Sequence, residues 1–339
     1  MINRSPASSR RRPRTGLGLK SYLLSIASAI ALLALACGSD GEDSPQPDED
    51  GGTPSPTAFQ LPQRSPTELD LPIRIAVTLP LFEEFALEAG GENVEVISLI
   101  PAGADPHTYE FTAADIQRMK DIDFFFLNGA GLDSRLQDVI EANRDENSHV
   151  IPFAPNMLSP LGDGRTAEQA GDNPHLWLDP SLAFVYVEIV DDELIIYDGI
   201  RQAFYDAKFN EFKQRMLGLQ TDLYAQLQAL PPERRKLVTL HNSFDHFARK
   251  LDLEVAGFAA DTPTEPPADA VDRLVTLVRD QGIPAVFAEY GYDDGLMGQV
   301  AETTGVPMCT LYSDIADATL TYEETMRSNA DEIVRCLGS

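Results

Sequence analysis

From residue 73 onward, short apolar runs alternate with longer segments of mixed polarity, and the two kinds of segment have different periods. The runs 73–78 (IRIAVT), 94–100 (VEVISLI), 124–127 (FFFL) and 149–153 are bounded by polar or turn residues, the pattern of buried strands. Between them, 81–89 and 132–142 carry helical spacing, and Thr112 with Asp115 opens a capping-box helix that runs to Lys120. Asn128-Gly129-Ala130-Gly131 reads as a tight strand-to-helix turn rather than a phosphate loop. The second half repeats the alternation, with strands at 237–240, 255–258, 285–288 and 308–311. Its helices fall at 243–251, from Ala268 onward, at 296–304 and from about Thr321 to Cys336.

Between the halves, Tyr205, Phe209, Phe212, Met216, Leu219, Leu223, Leu227 and Leu230 recur every three or four residues. One helix with a continuous apolar stripe is predicted, about 45 Å long if it runs about 30 residues, and Pro231-Pro232 stops it. The expected architecture is α/β: two parallel-sheet lobes joined by one long rigid helix, with any ligand in the cleft between the lobes. The lobes are placed at 71–199 and 232–339 and the linking helix at 200–231.

The first 36 residues read as a signal peptide. A basic start leads into the uncharged apolar run 22–36, which is shorter than the roughly 20 residues of a spanning helix. Small residues flank Cys37, and this resembles a bacterial lipobox, with Ala34 where leucine is usual. The resemblance implies lipidation of Cys37 and anchoring at the membrane, in the periplasm or on the outer cell surface. Residues 37–70, rich in Gly, Ser, Pro, Asp and Glu, have too little to bury and read as the lipid anchor and a disordered linker.

Composition narrows the partners. The chain of 339 residues has a formal charge of −28, and residues 1–36 hold six cations and no acid, so removing them takes six positive charges from −28 and leaves −34. Such a surface repels nucleic acid, and no nucleic-acid partner is expected. Three cysteines are too few for a disulfide scaffold. Cys309 and Cys336 either pair, as an oxidising compartment permits, or remain two buried thiols.

Ligands of open α/β sheets bind beyond the carboxyl ends of strands. His107, His241 and Asp314 fall at or just past such ends, and His175 sits in the loop Asn173-Pro174-His175-Leu176-Trp177. Each alone reads as an ordinary surface, capping or backbone-bonded residue. Together they use three of only five histidines and an acid in equivalent places, a complete tetrahedral set for Zn²⁺ at about 2.0–2.2 Å. Mn²⁺ is the alternative, although imidazole-rich sites lean to zinc. His149 opens a strand and His246 lies within a helix, so both read as structural, and Trp177 reads as core beside the site. Glu289 ends a strand and is a support for a ligand, an alternative ligand or an ordinary polar contact.

Four segments, GADPHTYEFTAAD (103–115), NPHLWLDP (173–180), LVTLHNSFDHFARKLDLE (237–254) and LYSDIADATLTYEETMRSN (311–329), resemble in order the solute-binding lipoproteins of zinc and manganese ABC importers, the cluster A-I or TroA/ZnuA-like family. The resemblance covers nearly everything from Ile73 to the end. It implies metal ligands at His107, His175, His241 and Asp314, a monomeric receptor, and an ABC permease as partner. Histidine rather than glutamate at position 241 favours zinc within this family, whereas the loop after Phe153 lacks the histidine-rich insertion of many zinc importers. Asp133 stands where glutamate is commoner, and 194–199 lacks the usual Asp-Pro before the long helix. Two other classes compete. A secreted zinc-dependent hydrolase would need an open water position and further catalytic groups, for which no H-E-x-x-H or Ser/His/Asp order is present. A surface adhesin of the same fold would bind partners independently of His107 and His241.

Overall fold

The computed structural model describes residues 72–158, 165–167, 173–314 and 319–338. The signal segment 1–36, Cys37 and the linker 37–70 lie outside the described residues. Four parallel strands, β1 (Ile73–Val77), β2 (Val94–Ser98), β3 (Phe124–Leu127) and β4 (His149–Pro152), form one sheet in the order β2-β1-β3-β4. All four residues of β3 are buried because apolar clusters cover both faces of the sheet. Ile75, Val77, Phe124 and Phe126 face one cluster, while Ala76, Phe125 and Leu127 face the other.

The helices α1 (Leu81–Gly90), α2 (Ala113–Arg118) and α3 (Ser134–Asn143) connect these strands. Thr112 and Asp115 form the reciprocal capping box of α2. In the turn after β3, Gly129, Ala130 and Gly131 all have positive φ, at 77°, 50° and 84°. Asp133 locks this turn: its carboxylate accepts the Asn128 and Gly129 N–H groups at 2.7 and 2.9 Å and the Thr78 hydroxyl at 2.8 Å.

The middle of the chain holds the expected long striped helix and, ahead of it, a second helix that the sequence did not predict. Helix α4 (Pro180–Tyr197) begins at Asp179, whose Oδ1 accepts the Ser181 N–H at 2.8 Å, and Pro180 takes the first position, where no N–H is needed. It gives no stripe in the sequence because it is apolar nearly all round: Leu182, Tyr186, Val190 and Leu194 are buried, and Phe184, Val185 and Ile189 pack against the same core. Helix α5 (Gln202–Leu227) is the striped segment, 26 residues long, or about 39 Å.

In the C-terminal half β5 (Lys236–His241) pairs in parallel with β6 (Glu254–Ala260), and β7 (Val286–Glu289) with β8 (Met308–Leu311). β5 and β7 lie side by side. The helices α6 (Asp245–Leu251), α7 (Ala270–Gln281), α8 (Gly295–Thr304) and α9 (Tyr322–Leu337) complete this lobe. A disulfide between Cys309 and Cys336 joins β8 to α9.

The main core runs without a break from β1 through α4 and α5 to α9. Phe85 of α1 meets Tyr186 of α4 at 5.5 Å, Phe212 of α5 at 6.0 Å and Tyr322 of α9 at 5.3 Å between ring centroids. Glu84 on the same helix accepts the Tyr322 N–H at 2.7 Å. The two lobes are therefore joined by packed aromatic surface as well as by chain. Among the described residues, no helix is long and apolar enough to cross a membrane.

Candidate metal centre

His107, His175, His241 and Asp314 lie together, each offering a ligand atom within 4.8 Å of the others. His107 comes from the loop after β2, His175 from the loop before α4, His241 from the last position of β5, and Asp314 from just beyond β8. The Nε2 atom of His175 stands 3.3 Å from that of His107 and 3.2 Å from that of His241. Asp314 Oδ2 is 3.2 Å from His107 Nε2 and 3.1 Å from His241 Nε2, and its Oδ1 is 3.0 Å from His175 Nε2. Corners about 2.0 Å from a common centre give a tetrahedron with edges of about 3.3 Å, close to these distances, and all four donors lie within 4.8 Å of one another.

The four side chains are positioned by their neighbours. Asp105 folds the Asp-Pro-His segment by accepting the His107 N–H and the Thr108 hydroxyl, both at 2.9 Å, and Arg135 donates to the His107 carbonyl at 2.7 Å. Asn173 Oδ1 accepts from His175 Nδ1 at 2.6 Å, which leaves Nε2 free for the centre. His246, buried, donates from Nε2 to the Asn173 carbonyl at 2.7 Å, so this helix histidine supports the His175 loop. Asn128 adds a bond from Nδ2 to the Pro174 carbonyl at 2.9 Å. Trp177 is buried and donates from Nε1 to the Ser313 carbonyl at 3.1 Å, bracing the residue before Asp314.

Glu289 does not face the ligand atoms. It stands behind His241, with Oε2 2.8 Å from Nδ1 and Oε1 accepting the His241 backbone N–H at 2.8 Å, while the Ser243 hydroxyl donates to Oε2 at 3.2 Å. Tyr292, in the loop after β7, donates to Asp314 Oδ2 at 2.9 Å. Sequence reasoning missed Tyr292, Asp105 and Asn173. Asp105 and Asn173 sit two residues before His107 and His175, a spacing that favours turns in which a side chain bonds backbone, and Tyr292 gives no signal at all.

Burial and charge polarise the cluster. Burial pushes His175 below its ordinary value, despite Asp314. Burial also opposes charge on His241, but the Asp314 and Glu289 carboxylates outweigh it and hold the imidazole up at about 10. Burial would raise the Asp314 carboxyl, yet His175, His241 and the contact with His107 keep it well below the usual carboxylate range. His107 has the most exposed side chain of the four, at 10%. It opens with His175, Asn242, Asp261 and Thr262 onto a cavity of about 430 Å³.

The profile of the family described as zinc-uptake complex component A periplasmic (ZnuA) matches residues 75–336. The manganese-binding lipoprotein MntA of Halalkalibacterium halodurans is 27% identical over 312 residues, which span 90% of this chain and 94% of that protein. The iron-binding protein YfeA of Yersinia pestis is 26% identical over 246 residues, 72% of this chain and 78% of that one. Among solved structures, the periplasmic zinc-binding protein TroA of Treponema pallidum superposes with a TM-score of 0.71 at 24% identity, covering 78% of this chain and 98% of that one. With α/β lobes built on parallel strands and a profile match over most of its length, the chain belongs to the ZnuA family of metal-binding receptors for ABC transporters and is not an enzyme.

Proposed function

We propose that this receptor captures Zn²⁺ outside the cytoplasmic membrane and delivers it to the permease of an ABC importer. Its ligands are the Nε2 atoms of His107, His175 and His241 and a carboxylate oxygen of Asp314. The observation that carries this reading is the convergence of the three Nε2 atoms and the Asp314 carboxylate: His175 Nε2 stands 3.3 and 3.2 Å from those of His107 and His241, the carboxylate 3.0–3.2 Å from each nitrogen, and all donors within 4.8 Å of one another. Three neutral imidazoles and one carboxylate suit zinc better than manganese, which prefers oxygen donors. Glu289 sides with this choice, since it engages His241 Nδ1 and leaves the centre three nitrogens.

The ion enters from the cavity at His107, whose ring is the partly exposed one, and exchanges water for the buried donors His175, His241 and Asp314. The protein acts as a monomer, bound to the membrane through a lipid on Cys37, with residues 71–199 and 232–339 as lobes on either side of the ion. The names of MntA and other relatives give manganese for those proteins, so manganese is the competitor to test.

The deciding experiment is a competition titration of chelator-stripped protein with Zn²⁺ and Mn²⁺, run beside His241→Glu. One tight zinc site, weaker manganese and a shift toward manganese in the variant are expected. Tighter manganese in the parent overturns the zinc assignment, and no tight site for either ion overturns the four-ligand centre.

A further inference from the structure

Among the described residues, the Tyr292 phenol touches Asp314 of the proposed centre. Its hydroxyl donates to Asp314 Oδ2 at 2.9 Å, and the same oxygen stands 3.4 Å from Asp105 Oδ1 across the cleft. Its ring lies edge-on to His241, with centroids 5.8 Å apart. The turn that delivers it is built for the purpose: Gly291 has φ 84°, and the Tyr292 N–H returns to the Glu289 carbonyl at 3.2 Å.

The two oxygens of Asp314 are consequently unequal. Oδ2 accepts the phenol and lies 3.2 and 3.1 Å from the Nε2 atoms of His107 and His241, whereas Oδ1, 3.0 Å from His175 Nε2, is buried without an aligned hydrogen-bond donor. A buried carboxylate oxygen without a donor is costly, and an ion in the centre would satisfy it. An oxygen already accepting a hydrogen bond is a poorer donor to metal, and the bond also fixes the plane of the carboxylate.

We propose that Tyr292 sets the ion preference of the centre by holding Asp314 to one-oxygen ligation: the phenol keeps Oδ2, and Oδ1 alone binds the ion. Three imidazoles and one oxygen then close a four-coordinate shell that zinc accepts. Manganese is left short of the oxygen donors it prefers, because the second carboxylate oxygen is withheld. This rests on the four-ligand reading above and adds to it a residue that chooses between ions without touching them.

The test uses the full chain and Tyr292→Phe, which removes only the hydroxyl, with thermal melts to establish that the variant folds. Zinc–manganese competition and the visible absorption of the Co²⁺-loaded protein are read on both. In the parent, zinc is preferred and Co²⁺ shows the intense bands of four-coordination. In the variant, the zinc-over-manganese ratio is expected to narrow by about tenfold or more, with weaker Co²⁺ bands as the second oxygen joins. A folded variant with the same ratio and spectrum overturns the role of Tyr292 while leaving the ligands in place. Equal loss of both ions with an unchanged spectrum also overturns it, since that is the result of a merely structural contact. A parent that binds neither ion tightly, or prefers manganese, overturns this proposal and the zinc reading together.

Discussion

Glu289 grips His241 at two points, one carboxylate oxygen lying 2.8 Å from ring Nδ1 and the other accepting the backbone N–H at 2.8 Å. Both residues end strands, β5 and β7, that lie close together, so the grip is made between two strand ends and not by a loop. A proton kept on Nδ1 by the carboxylate leaves the Nε2 lone pair for the ion and makes the ring a stronger donor.

Glu289→Gln keeps the size of the side chain but removes its charge. The expected result is a loss of zinc affinity of about 10–100-fold, with little change in the fold, measured by the same competition titration. An unchanged affinity would mean that Glu289 only pins the backbone of β5.

The raised His241 imidazole, at about 10, predicts how affinity depends on pH. Below that value the ring of the metal-free protein carries a proton that must leave before Nε2 can bind, so each ion taken up near neutral pH releases a proton. Affinity should rise with pH by up to about tenfold per unit. Calorimetry in buffers of different ionisation enthalpy counts that proton directly. The sign for stability is opposite: a folded value above the unfolded one stabilises the metal-free protein fully below the unfolded value, and this is lost as pH rises through about 10. Metal-free protein should melt at a lower temperature at pH 10 than at pH 7, by a difference that shrinks in His241→Ala. Release of no proton on loading would show that His241 is neutral in the metal-free state.

What the sequence made legible follows from what each residue depends on. His241 and Asp314 could be singled out because strand ends are set by short-range apolar patterning and parallel strands bring their carboxyl ends together, whereas His107 lies further along the loop after β2. Helix α4 could not, because helical period shows only when one face is polar, and Tyr186, Val187 and Val190 are buried beside partly buried Val185 and Ile189. Tyr292 was hidden for a different reason: its contact with Asp314 depends on the path of an irregular loop that begins at Gly291. His246 reads correctly as structural from its place within a helix, but nothing local says that it holds Asn173, 73 residues earlier. Asp133 stands where glutamate is commoner in the resembling family, and it collects three donors in the turn whose Asn128 holds the carbonyl before His175. A side chain one methylene shorter than glutamate thus carries the anchoring of that loop.

The continuous core limits how far the lobes can move. Phe85 lies against Tyr186, Phe212 and Tyr322, and a wide opening would expose rings that are now fully buried. Separating one such ring from its neighbours costs about 1.5–3 kcal/mol of lost burial, and an ion can shift the equilibrium only by its differential affinity for the two states. Loading should therefore tighten the loops that carry His107, His175 and Asp314 while leaving the lobes nearly fixed. Small-angle scattering of metal-free and zinc-loaded protein should give the same radius of gyration within error, and amide exchange should slow around residues 104–109 and 173–178. A clear compaction on loading would mean that the Phe85 contacts break in the metal-free state and that the helical layer acts as a hinge.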